Sequence, residues 1–179
     1  MLELFIRLRI KLHIIKSLKK NNLMVCIHQY ASQDKKVFSQ IGLTFAVISA
    51  SVLLIDYFVQ LSVIQPSLLN GETDGIPILT QFNPHGLFIA LEDLGYFMMS
   101  IAFLSIAPVF SGKNKVEKAI RWIFIINFIL TMGSFILISA IYGIFREYRF
   151  EVAAISFDWL ALIISGILLS IVFRRAIKS

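Results

Sequence analysis

The sequence predicts an all-α integral membrane protein, a four-helix bundle with both termini on the cytoplasmic side. Three observations carry that expectation. Of 179 residues, 58% are hydrophobic, with a mean hydropathy of +0.80; a soluble domain is roughly 45–50% apolar. The excess falls in blocks of about 20 residues, the length needed to cross about 30 Å of hydrocarbon. Lys and Arg are unevenly placed: fifteen lie in residues 1–36, 111–121 and the C-terminal end, against two in the other connections. Such an excess marks the cytoplasmic side.

Residues 1–36 form a basic N-terminal segment. Arg7, Arg9, Lys11 and His13 alternate with Leu8, Ile10 and Leu12, and Lys16, Lys19 and Lys20 follow. The segment is too charged to span and suits an anionic membrane surface or a solvated tail. The four-span domain is expected over 37–179.

The first span is expected over about 37–64. Gly42, Ala46, Ser49, Asp56 and Gln60 recur at helical steps, so one small and polar stripe faces other helices. The loop over 65–82 holds Pro66, Gly71, Gly75 and Pro77 as breakers, with Glu72 and Asp74 and no Lys or Arg. The second span is expected over 84–110, with Asn83 as N-cap and Pro84 at the first helical position. Ser111, Gly112 and Lys113 end it with a breaker and a cation.

The third span is expected over 122–143. Its polar face, Asn127, Thr131, Ser134 and Tyr142, reads as helix–helix packing rather than a conduction path. The fourth is expected over 154–173, after a connection that carries Arg146 and Arg149.

Measuring 20 residues from the cytoplasmic end of each block brings Asp56, Glu92, Asp93 and Asp158 to one depth, near the outer boundary. Arg146 and Arg149 lie just above them, and Gln60 and His85 close by. Ionisable residues in a membrane face the bundle interior and find partners there. The expected cluster is therefore Asp56, Gln60, His85, Glu92, Asp93, Arg146, Arg149 and Asp158. In the structural reading the arginines pair with the acids and fix helix packing. In the transport reading the surplus of acids binds a proton or cation, and in a third reading the acids simply reach the water of the interface.

Several function classes are set aside. The net charge of +6 and pI near 9.6 would raise nucleic acid for a soluble protein, but the basic residues flank apolar blocks and no binding motif accompanies them. Cys26 is alone, which removes a disulfide framework and a C-x-x-C site. No apolar core with a cleavage site follows the basic start, so no cleavable signal peptide is expected. H-E-x-x-H, G-x-S-x-G and the phosphate-loop pattern are absent, and no enzyme is expected. His85 and Glu92 are two helical turns, about 10 Å, apart. That is too far to share one metal ion, and neither metal nor cofactor is expected.

Two stretches, Phe-Asn-Pro-His-Gly-Leu-Phe-Ile-Ala-Leu-Glu-Asp-Leu-Gly-Tyr over 82–96 and Glu-Tyr-Arg-Phe-Glu-Val-Ala-Ala-Ile-Ser-Phe-Asp-Trp-Leu over 147–160, resemble small multi-spanning bacterial membrane proteins of unknown function. The resemblance covers about 37–175. It implies a helical bundle in the cytoplasmic (inner) membrane and no activity or site. In that group the stretch like Met24–Ala31 closes an additional preceding span. The basic segment in its place suggests a truncated or re-started N-terminus.

The expected function is that of a non-enzymatic membrane protein, structural or a partner-binding subunit. The alternative is a small proton or cation transporter or channel acting as an oligomer. The expected partners are the lipid bilayer and either a second copy or another membrane subunit, with no nucleic acid.

Overall fold

Four long helices form the body of the protein, and the connections over 70–86 and 143–148 lie at the same end of it. The computed structural model describes residues 23–110 and 114–178. Among these residues the structure is all-α, with no strand. Four helical stretches are long and apolar enough to cross a membrane: Gln33–Leu69, Leu87–Val109, Lys115–Phe145 and Arg149–Ala176.

A short helix α1 covers 23–30. A 3-10 turn, Gln33–Lys35, leads into α2, Lys36–Val59. The chain continues through a π-helical turn, Gln60–Ile64, into α3, Gln65–Leu69. α4 is a single turn, Ile76–Leu79. Then come α5, Leu87–Ile106, and a 3-10 turn, Ala107–Val109. α6 spans Lys115–Tyr142, a 3-10 turn Gly143–Phe145 follows, and α7 runs Arg149–Lys178.

All four expected spans have a helix, but several ends are displaced. The second helix does not begin at Pro84. Asn83 is committed to a turn instead: its Oδ1 accepts from the His85 N–H (3.0 Å), and its Nδ2 donates to the Pro77 carbonyl (2.8 Å). Gly86 becomes the N-cap. A Cβ there would lie 2.9 Å from the Ile78 carbonyl oxygen, so the α4 turn can approach only a glycine. The third helix begins at Lys115, seven residues before 122. Asn114 caps it by accepting from the Glu117 N–H (2.9 Å), as in a capping box, while its side-chain amide donates to the Glu117 carboxylate (3.0 Å).

The basic segment 1–36 divides. Residues 1–22, with their expected surface role, lie outside the described residues. Residues 23–31 belong to the packed body. Met24, Ile27 and Ala31 are buried against Phe103, Ile106, Phe110 and Phe124. The Tyr30 hydroxyl donates to Glu117 (3.3 Å) and Lys35 Nζ donates to the Pro108 carbonyl (2.9 Å). The Phe103 and Phe124 rings stack at 5.1 Å.

The closest helix pair is α2 against α5. A Cβ on Gly42 would stand 2.3 Å from Ile106 Cγ2, and one on Gly95 would stand 2.6 Å from Leu53 Cδ2. Glycine at these two positions lets the backbones approach. Ser49 Oγ bridges the same interface by donating to the Gly95 carbonyl (2.7 Å). At the opposite end from α1, a second core gathers Leu53, Tyr57, Phe88, Tyr96, Phe150 and Ala154.

Candidate functional site: a buried acidic layer

Because α2 lies so close to α5, short side chains can bridge them. One turn beyond Leu53, Asp56 and Tyr57 are buried, and Gln60 follows in the π turn. On α5, Glu92 and Asp93 are buried one turn before Gly95. The Tyr57 hydroxyl donates to Glu92 Oε1. The Tyr57 ring meets Phe88 edge-on at 5.7 Å. Tyr96 is buried beside them, with Tyr57 and Trp159 reaching its phenol.

Each remaining predicted residue has a definite place. Asp158 on α7 is fully buried and accepts from Asn127 Nδ2 on α6 at 2.7 Å. Asp93 pairs with Arg146 at 3.6 Å. Among the described residues, Asp56 Oδ2 and Asp93 Oδ1 have no hydrogen-bond partner. The charges of Glu92 and Glu151 act on Asp56. Gln60 Nε2 donates to the Leu79 carbonyl at 2.6 Å, which ties α4 to the π turn. His85 is exposed, ahead of the α5 N-cap.

Arg149 does not join the acids on the neighbouring helices. It pairs with Glu147 at 3.0 Å and donates to the Phe145 carbonyl at 3.1 Å, and its guanidinium lies over the Tyr142 ring at 4.4 Å. The reason is local. Glu147 has φ of 48°, uncommon for a residue with a side chain, and Arg149 holds the turn that requires it. So the two expected arginines divide their work, one serving the layer and one serving the turn.

Asn127, expected only on the packing face of the third span, joins the layer through Asp158, and three further members were not singled out from the sequence: Tyr57, Tyr96 and Glu151. Glu151 is buried in the first turn of α7. Under the same turn, burial and then Glu151 and Glu147 push the Tyr148 phenol up from its ordinary value. Sequence spacing held a signal for each. Tyr96 is four residues after Glu92, Tyr57 adjoins Asp56, and Glu151 is two helical turns before Asp158.

A cleft of about 370 Å³ opens beside the layer, lined by Pro84, His85, Gly86, Ile89, Ala90, Asp93, Gly143, Ile144 and Arg146. Among the described residues, no group of three or more His, Cys, Asp or Glu side chains converges closely enough to hold a metal ion. What the arrangement does chemically is join helices: tyrosine, amide and guanidinium donors each reach a carboxylate on another element. No family model, no curated protein and no solved structure matches this chain.

Proposed function

We propose that this is a non-enzymatic, multi-pass protein of the cytoplasmic cell membrane that acts as a structural or partner-binding subunit. In this reading the four helices span, both termini are cytoplasmic, and the acidic layer lies under the outer surface. Membrane insertion is supported by the outward apolar face of α6, with Trp122, Ile126, Ile129, Ile136, Leu137 and Ile141 exposed. Soluble proteins rarely present so large a contiguous apolar surface. The fifteen-to-two distribution of Lys and Arg supports the orientation.

One observation carries the structural role. Glu92 and Asp158 accept hydrogen bonds from Tyr57 and Asn127 on other helices, and Asp93 forms an ion pair with Arg146 beyond the end of α6. The layer therefore sets how the helices are rotated against one another. A bundle assembled this way offers its outer apolar faces to lipid, to a second copy or to another membrane subunit.

The alternative, a small proton or cation transporter acting as an oligomer, is favoured by a charge imbalance. Asp56, Glu92, Asp93, Glu151 and Asp158 are buried here, and Arg146 is the arginine that pairs with the layer. Reconstitution into liposomes with a pH-sensitive dye separates the two readings. The structural role predicts proton and alkali-cation flux equal to that of empty liposomes. Flux abolished by Glu92→Gln in a protein that stays folded would replace it with the transport role.

A further inference from the structure

The cleft beside Asp93 and Arg146 has the features of a binding site rather than a packing flaw. It is lined by one acid, one arginine and one histidine, together with the apolar Ile89, Ala90 and Ile144. The Asp93–Arg146 separation of 3.6 Å exceeds the roughly 2.7–2.9 Å of a charge-assisted hydrogen bond. Both groups therefore keep hydrogen-bonding capacity. The Arg146 guanidinium is held over the Phe135 ring, 5.4 Å from its centroid, which sets its direction without using its donors. Asp93 is buried and Arg146 is about one-third exposed, so an occupant can enter from the Arg146 side.

We infer that this cleft binds a zwitterionic headgroup with a primary ammonium and a phosphate, the chemistry of ethanolamine phosphate. The guanidinium supplies donors to the phosphate, which it recognises well. The Asp93 carboxylate accepts from the ammonium N–H groups, and His85 stands at the rim. One acid and one arginine balance each other, which suits a zwitterion better than an anionic headgroup. A trimethylated ammonium offers no N–H and cannot satisfy Asp93. The volume of about 370 Å³ fits a headgroup and not a whole lipid.

Depth agrees as well. Asp93 is six residues into α5, which begins at Leu87, or about 9 Å from the helix end at 1.5 Å per residue. The headgroup zone on each side of the hydrocarbon is about 5–8 Å thick, so a helix that starts at its outer edge carries Asp93 just past it, at the top of the hydrocarbon, with the Arg146 side of the cleft facing the headgroups. Leu87 and Ile144 are exposed next to the opening, where acyl chains would run. The inference rests on the membrane reading above.

The test uses the full chain in detergent micelles and follows thermal unfolding by tryptophan fluorescence. Phosphatidylethanolamine, phosphatidylcholine and phosphatidylglycerol are titrated separately, because a ligand of the folded state raises the midpoint with concentration. Phosphatidylethanolamine is expected to raise it most. Arg146→Gln and Asp93→Asn are each expected to weaken its apparent affinity at least about tenfold. Ala90→Leu, at an exposed position that lines the cleft, should do the same without touching either charge.

Competition by free phosphoethanolamine would show that the headgroup alone suffices. Lipid binding without such competition would place the source in the bilayer. Equal responses to the three lipids, or an unchanged response in Ala90→Leu, would overturn the inference. Release from membranes by alkaline carbonate would instead overturn the membrane reading beneath it.

Discussion

Replacing Tyr57 by Phe removes one hydroxyl and little else. The ring keeps its edge-on contact with Phe88 at 5.7 Å, and the position stays buried at 5% exposure. What is lost is the donor to Glu92, itself 2% exposed, together with the hydroxyl's contact with the Tyr96 phenol. A hydrogen bond to a charged group contributes about 1.5–3 kcal/mol, and a buried acceptor left without its donor keeps its desolvation cost. For a chain of this size, each kcal/mol shifts the unfolding midpoint by about 2–4 °C, so a fall of about 3–12 °C is expected. Glu92→Met alone takes away the carboxylate that accepts from the Tyr57 hydroxyl and should also destabilise. The double variant removes both polar partners and should recover much of the loss, because apolar replacement of both partners is close to neutral. Circular dichroism during thermal unfolding in detergent micelles measures all four proteins. Losses that add to within about 0.5 kcal/mol would refute an interhelical layer at this position.

Three further outcomes follow from the packing and the capping contacts. Gly42→Ala places a methyl against Ile106 Cγ2 and within 3.0 Å of the Ala102 carbonyl oxygen; overpacking of about 1–3 kcal/mol should exceed the roughly 1 kcal/mol gain in helix propensity, and Ile106→Ala should relieve it only in part because the carbonyl remains. Ile27→Ala should cost about 2–5 kcal/mol because Ile27 is fully buried, whereas Cys26→Ser on the exposed side of α1 should leave the midpoint unchanged. Burial and then the Glu117 charge push the Tyr30 phenol above its ordinary value of 10.0. A folded pKa above the unfolded one gives stabilisation that is complete below the unfolded value and lost above it, so the difference between wild type and Tyr30→Phe should be flat from pH 7 to 9 and shrink above pH 10.

The four helices were legible because their apolar blocks match the thickness of a bilayer, and the stripe with Gly42, Ala46, Ser49 and Asp56 was legible from its period. Helix ends were harder to read. The second start looked well marked by Asn83 and Pro84, yet Asn83 turned to Pro77 and His85, contacts set by where the α4 turn packs. The third start was readable and overlooked, since Asn114 and Glu117 have capping-box spacing. Within the layer, depth could be counted along the chain, and it brought Asp56, Glu92, Asp93 and Asp158 to neighbouring levels. Pairing could not be counted in this way. Whether Glu92 meets Tyr57 or an arginine depends on how far each helix is rotated about its own axis. That rotation is fixed by close contacts such as Gly95 against Leu53, which involve residues more than 40 positions apart. Arg149 was read as a partner of the layer because its charge suited one, but the left-handed turn at Glu147 has first claim on it.

The most direct test of the account is topology in intact cells. In a Cys26→Ser background, single cysteines at Thr73 and Lys115 occupy exposed positions at opposite ends of the bundle. A membrane-impermeant maleimide should label Thr73→Cys in intact cells and reach Lys115→Cys only after the membrane is opened. Labelling of Lys115→Cys from outside, or equal labelling of both, would contradict the four-span arrangement with cytoplasmic termini.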